Sequence, residues 1–152
     1  MMFFHKAIAT WFGIGYVRKG AGTIAAALVC ILVRYYAECV NASAWYLIST
    51  GALLSVLGSW SAQQCEKIWE TDSNRIVVDE VLGMSISLLF LPINNTTVLV
   101  GFVLFRVFDI VKPFYIRRLE KIKGGIGVMA DDFAAGVYAN ILLQLLTRTH
   151  LI

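Results

Sequence analysis

The chain has 152 residues, of which 59% are hydrophobic and 15% charged, with a mean hydropathy of +0.73. Soluble domains average about 25% charged and about 45–50% apolar residues, so a disordered chain is excluded. Twelve Gly, two Pro and three Cys likewise exclude a collagen-like or disulfide-stapled secreted scaffold. The net charge of +3 is mild; a single domain over 1–152 is expected. It is either a small polytopic membrane protein or a very apolar helical domain that buries its excess surface in an oligomer.

Phe3 to Phe12 mixes aromatic residues with His5 and Lys6, which suits a helix lying in a membrane interface or one buried in the core. No signal peptide is expected there, since Trp11-Phe12-Gly13 interrupts the apolar stretch. The first long apolar run is Ala21 to Ala37, broken only by Arg34. Ala44 to Ala62 follows without a charge, and both approach the about 20 residues of a spanning helix. Ile76 to Ile93 carries Asp79 and Glu80 in its first turn, Thr96 to Val111 carries Arg106 and Asp109 at its far end, and Asp132 to Thr147 is led in by Asp131. The runs exceed strand length and do not alternate, so helices are predicted throughout, four to five of them apolar. Turns are expected at Asn41-Ala42-Ser43, at Pro92 with Asn94-Asn95, and at Pro113, where the residue before proline is turned away from helical geometry. Cys30, Cys39 and Cys65 have neither C-x-x-C nor metal-site spacing and read as apolar filler.

Threading the five runs alternately through a bilayer, with the N-terminus inside, places eleven of the thirteen basic residues on the inner side. Only Arg34 and Arg148 fall outside, as a cytoplasmic inner face requires. Nine of the ten acids map to that same side, Glu38 being the exception, and no rule of topology demands this.

Five of those acids stand where a solvated rim would not put them. Asp79 and Glu80 lie within Ile76-Val77-Val78-Asp79-Glu80-Val81-Leu82-Gly83, and Asp109 within Phe105-Arg106-Val107-Phe108-Asp109-Ile110-Val111-Lys112-Pro113. Asp131-Asp132 closes a glycine-rich stretch and opens the last run. Ionisable groups at the mouth of apolar helices face a cavity and mark a site. Neighbouring carboxylates repel unless a cation sits between them, and Mg²⁺ prefers carboxylate oxygens. Each acid also has a plain structural role open to it: a helix N-cap for Asp131 or Asp132, pairing with Arg106 or Lys112 for Asp109, and the helix dipole for Asp79-Glu80. Gly20-Ala21-Gly22-Thr23, after Arg18-Lys19 and at a helix start, could bind an anion through backbone amides. His5 and His150 lack ligand spacing, no nucleophile elbow is present, and nucleic acid is not expected as a partner.

These motifs resemble the phosphatidylglycerophosphatase A family from about Gly13 to Leu146. The resemblance rests on the Ile76–Gly83 and Phe105–Pro113 segments and on Gly124-Gly125-Ile126-Gly127-Val128-Met129-Ala130-Asp131-Asp132 with Ala135-Gly136. Ala21 stands where the family's Pro-Gly-Thr turn has its proline, and Arg18 replaces an upstream proline. The resemblance implies an all-helical, multi-pass enzyme of the bacterial inner membrane, with its site on the cytoplasmic face. It implies a Mg²⁺-dependent hydrolase whose substrate is a phospholipid, phosphatidylglycerol phosphate. Asp79, Glu80, Asp109, Asp131 and Asp132 would be the catalytic and metal-binding acids, and Gly22, Thr23, Arg106 and Lys112 the groups that meet phosphate. Two alternatives stay open: a phosphatase of another lipid or polyprenyl phosphate, and a non-catalytic membrane protein that binds or conducts a cation.

Overall fold

The computed structural model describes residues 2–17, 19–39, 44–69, 73–113, 115–119, 122–149 and 151, without the side chains of 39 and 44–47. The expected turn at Asn41-Ala42-Ser43, the charges of Arg18, Glu70, Asp72, Glu120 and Lys121, and His150 lie outside the described residues. Among the described residues the regular structure is entirely helical: α1 (Met2–Ala9), α2 (Ala21–Cys39), α3 (Ala44–Glu66), α4 (Val78–Ser87), α5 (Asn95–Val111), α6 (Ile116–Leu119) and α7 (Gly125–Arg148), with a short 3-10 turn at Ile14–Tyr16.

Local chemistry sets several of these boundaries. Asn94 caps α5 by accepting a hydrogen bond from the Thr97 amide at 2.9 Å. α5 stops at Val111 because Lys112, before Pro113, takes a left-handed conformation (φ 46°). Two expectations need correction. The third apolar run is helical only over Val78–Ser87, and the chain then turns through Phe90 at φ 59° toward Pro92. Ten residues rise about 15 Å, half of what a span needs. The last helix also begins earlier than Asp131: Gly124, at φ 84°, turns the chain into α7, and Asp131 and Asp132 stand in its second and third turns rather than at its N-cap.

Among the described residues two helices, Ala21–Glu38 of α2 and Gly125–Arg148, are long and apolar enough to cross a membrane. α3 has the length, but Thr50, Ser55, Ser59, Ser61, Gln63 and Gln64 dilute it.

α4 is the hub. Gly22 of α2 abuts Glu80, and farther along Arg34 donates to the Ile93 carbonyl at 2.9 Å, so α2 and α4 run in parallel. Gly51 lies against Leu82 and Gly58 near Val78, which makes α3 antiparallel to α4. Gly101 of α5 meets Leu143 of α7 while Lys112 reaches Asp131, so those two are antiparallel as well. The most extensive packing is between α4 and α7. A Cβ on Gly136 would overlap the Gly83 carbonyl, and a Cβ on Gly83 would sit 2.6 Å from the Asp132 carbonyl oxygen. Small residues at such a crossing let backbones approach where lipid or core offers no other driving force. Phe105, Leu82, Met84, Leu88 and Leu143 fill the surrounding core.

An α-helix that ends inside an apolar body leaves carbonyls to satisfy. Asn140 of α7 answers this for α4, donating to the Ser87 and Leu89 carbonyls at 3.1 and 2.9 Å. At the other side α1 packs on α3, with His5 buried, its Nδ1 3.3 Å from Ser61 Oγ and its ring edge-on to Trp60. This histidine is held in the packing, while Phe3 and Phe12 of the same region point outward. Asn140→Leu strands those two carbonyls, and is expected to lower stability by about 1–3 kcal/mol. Gly136→Ala forces α4 and α7 apart, at about 1–3 kcal/mol. Thermal unfolding in detergent checks both; an unchanged midpoint in either variant would contradict the contact it removes.

Candidate active site

The antiparallel arrangement carries four helix ends to one place: the starts of α2, α4 and α7 and the finish of α5. Asp79 and Glu80 occupy the first turn of α4. One carboxylate oxygen from each of Asp79, Glu80 and Asp132 lies within 4.8 Å of the other two. Asp109 stands beside them, close enough for its charge to act on Asp132 and Glu80. Asp131, one position along α7, turns to a different neighbour: Lys112 donates to its Oδ2 at 2.6 Å. Arg106 donates to Asp109 Oδ2 at 2.5 Å, the i,i+3 pair that the sequence spacing allowed.

The result is a tight carboxylate group edged by two cations. Desolvation raises the Asp79 carboxyl well above the usual carboxylate range, and the charge of Glu80 adds to it. Desolvation also raises Glu80, and Asp109 contributes. Glu80 Oε2, Asp131 Oδ1 and Asp132 Oδ2 are buried without a protein hydrogen-bond partner. Buried polar atoms are normally satisfied, and unpartnered oxygens converging from separate helices are what a bound cation would complete. The donors are all hard oxygens, the set suited to Mg²⁺ rather than to a softer metal. The residues therefore fit a divalent hard cation.

Gly22 and Thr23 lie in the first turn of α2. Gly22 is buried directly against Glu80 Oε1, where any side chain would collide, whereas Thr23 is exposed. The first amides of a helix have no intrahelical acceptor and favour anions, so α2 aims donors at the edge of the acid group. All nine residues singled out from sequence thus lie at one end of the bundle, with Asp79, Glu80 and Asp132 forming its closest cluster. Not foreseen were Gly83 and Asn140. Gly83 lets the Asp132 backbone approach α4, and Asn140 terminates α4; an isolated asparagine in an apolar helix was the available signal for the second.

An all-helical body with an oxygen-donor cluster and a cationic rim at one end has the form of an enzyme that handles phosphate. The chain belongs to the phosphatidylglycerophosphatase A family, whose model matches residues 7–147, and it is a phosphoric monoester hydrolase. It is 35% identical over 139 residues to a phosphatidylglycerophosphatase A of Haemophilus influenzae, covering 90% of this chain and 84% of that protein. It is 40% identical over 97 residues to the Escherichia coli K12 protein of that name, covering 61% and 56%. A Bacteroides thetaiotaomicron protein provisionally named a phosphatidylinositol-3-phosphatase is 41% identical over 141 residues, covering 90% and 89%. No solved structure matches the chain.

Convergent carboxylates destabilise a protein that lacks its cation, so removing one should stabilise the metal-free form. Asp79→Asn is expected to raise stability in chelator by about 0.5–2 kcal/mol and to respond less to added Mg²⁺ than the parent chain. Thermal unfolding with and without Mg²⁺ measures both. A variant that is less stable in chelator, or still stabilised by Mg²⁺ to the parent's extent, would count against a cation site at Asp79.

Proposed function

We propose that the protein releases phosphate from phosphatidylglycerol phosphate in a Mg²⁺-dependent reaction, at the cytoplasmic face of the bacterial inner membrane in which its helices are embedded. The observation that carries this reading is the convergence of Asp79, Glu80 and Asp132 from two helices, with Asp109 beside them, in a chain of this family. Membrane embedding is supported by α2 and α7, and by outward-facing Ile31, Leu53, Val56, Leu99, Val103, Ile110, Ile141 and Leu145. In this reading α3 and α5 complete a four-span bundle, and α4 is a half-length helix held inside it by protein contacts, the setting in which irregular backbone is tolerated at membrane depth.

Some of Asp79, Asp109, Asp131 and Asp132 would hold Mg²⁺, Asp79 and Asp132 being the two that lie in the closest cluster. When bound, the ion supplies Lewis-acid polarisation of the phosphoryl group. Glu80 lies between these acids and the first turn of α2, the place for a general base. It takes a proton from water as the water oxygen attacks phosphorus, and returns it to the glycerol oxygen as the P–O ester bond breaks. Arg106, Lys112 and the Gly22-Thr23 amides compensate negative charge on the transferring phosphoryl group. Asp109 orients Arg106 through their ion pair, and Asp131 does the same for Lys112. Direct attack by water is the simpler course, with no aspartyl phosphate needed.

The similarity to the provisionally named phosphatidylinositol-3-phosphatase supports a second reading, in which the same site takes another lipid phosphate. Purified protein in mixed micelles, given phosphatidylglycerol phosphate, phosphatidylinositol 3-phosphate or a polyprenyl phosphate with Mg²⁺ or chelator, separates the two. Phosphate release is expected on the first lipid and is expected to vanish with chelator. Release only from another lipid favours the second reading, and no release from any lipid, with Mg²⁺ or with chelator, favours a non-catalytic cation-binding protein. Glu80→Gln is expected to lower kcat by about 10²–10⁴-fold. Asp109→Asn is expected to abolish turnover while the protein still inserts in membranes; parental turnover in that variant would remove Asp109 from the site.

A further inference from the structure

A cavity of about 400 Å³ lies in the gap between α2, α3 and α4. Among the described residues α2 and α3 each pack on α4 but scarcely on one another, and the cavity occupies the space they leave. Its walls include Val29, Val33 and Ala37 of α2, Leu54 of α3, and Val81 of α4, with Ile93 beyond α4. Ser85 also faces it, but its hydroxyl donates to the Val81 carbonyl at 2.7 Å and so is already satisfied. Thr50 of α3 also lines it, and the remaining lining residues are aliphatic or aromatic.

One end of the cavity lies near the start of α4, the helix whose first turn carries Asp79 and Glu80. Val81 follows Glu80 directly, and Trp11, which also lines the cavity, lies near Val77, whose amide donates to the Ala9 carbonyl at the start of α4. Along α2 the lining runs from Val29 to Ala37, about 12 Å at the helical rise. This approaches the about 15 Å that one leaflet contributes to a bilayer's hydrocarbon core. Leu32 and Tyr36, half-exposed at its edge, leave it open sideways, toward lipid in the membrane reading.

We propose that this cavity is the seat of one acyl chain of the substrate, entering from the bilayer between α2 and α3 and fixing the phosphorylated headgroup over Glu80. The proposal rests on the lipid-phosphatase reading above and adds to it a defined chain-binding site. Binding a part of the substrate remote from the reacting atoms is how a site of this kind converts chain contacts into correct placement of phosphate.

The test uses the full chain in phosphatidylcholine vesicles with phosphatidylglycerol phosphate bearing a diazirine midway along one acyl chain. On photolysis, adducts are expected on Leu32, Val33 and Ile93. They should be reduced about tenfold by a hundredfold excess of unlabelled phosphatidylglycerol phosphate, and left unchanged by the same excess of phosphatidylcholine. Adducts confined to outward-facing Ile31, Val103 and Ile141, or cavity adducts that phosphatidylcholine displaces equally, would overturn the proposal. Val33→Trp fills the cavity, with Ala37→Trp as a second variant should the first fail to fold. In either folded variant the ratio of kcat/KM for dioleoyl over dihexanoyl substrate is expected to fall about tenfold or more; an unchanged ratio would overturn the proposal. Protected cavity adducts without phosphate release would sink the phosphatase reading and keep the chain site. Phosphate release with unprotected adducts would do the reverse.

Discussion

Carboxylates brought together in an apolar body repel, and they persist only when the surrounding structure holds them or a cation relieves them. In this protein Asp79, Glu80 and Asp132 are within 4.8 Å of one another, with Asp109 alongside. Nearly everything else in the fold can be understood as the means of enforcing that proximity. The acids come from α4, α5 and α7, so no single helix can relax the repulsion by fraying. Arg106 and Lys112 sit at the perimeter, each bound to one acid, and leave the interior of the cluster to oxygen atoms.

The enforcement is backbone-deep. Gly83 and Gly136 bring α4 and α7 into direct contact at the level of Asp132, and Gly22 brings α2 against Glu80. A methyl group at any of these positions would act on the acid geometry without touching a catalytic group. Asn140 fixes the opposite end of α4, so the short helix is clamped at both extremities: by α2 at Gly22 against Glu80 near its start and by amide hydrogen bonds at its finish. A reaction centre that tolerates little misplacement is well served by such a clamp.

The acids themselves were legible in sequence because each interrupts an apolar stretch, and a charge there has few reasons to exist other than a site. The stop of α5 was legible too, since Pro113 constrains Lys112. The extent of α4 was not. Apolar residues continue from Leu88 to Ile93, so hydropathy alone extends the helix, while its actual end depends on Asn140, 53 residues from Ser87. The start of α7 was misjudged for a related reason. Gly124, Gly125 and Gly127 suggest a loop, yet Gly125 and Gly127 are small so that α7 can pass the Ser59 and Ile122 carbonyls. Glycine as freedom and glycine as close approach look alike until the partner helix is known. Sequence could likewise place Gly22 at a helix start, but only the fold sets it against Glu80.

The half-length of α4 has a topographic consequence. Its first turn bears the acids and its far end is sealed by Asn140 and by Arg34 on Ile93, so the polar machinery is confined to one end of the bundle. With the helices in a bilayer, such an enzyme works on a single leaflet. The lipid arrives, loses its phosphate and departs on the side where it began, and at no stage must a charged headgroup cross hydrocarbon, the one transfer a membrane opposes most strongly.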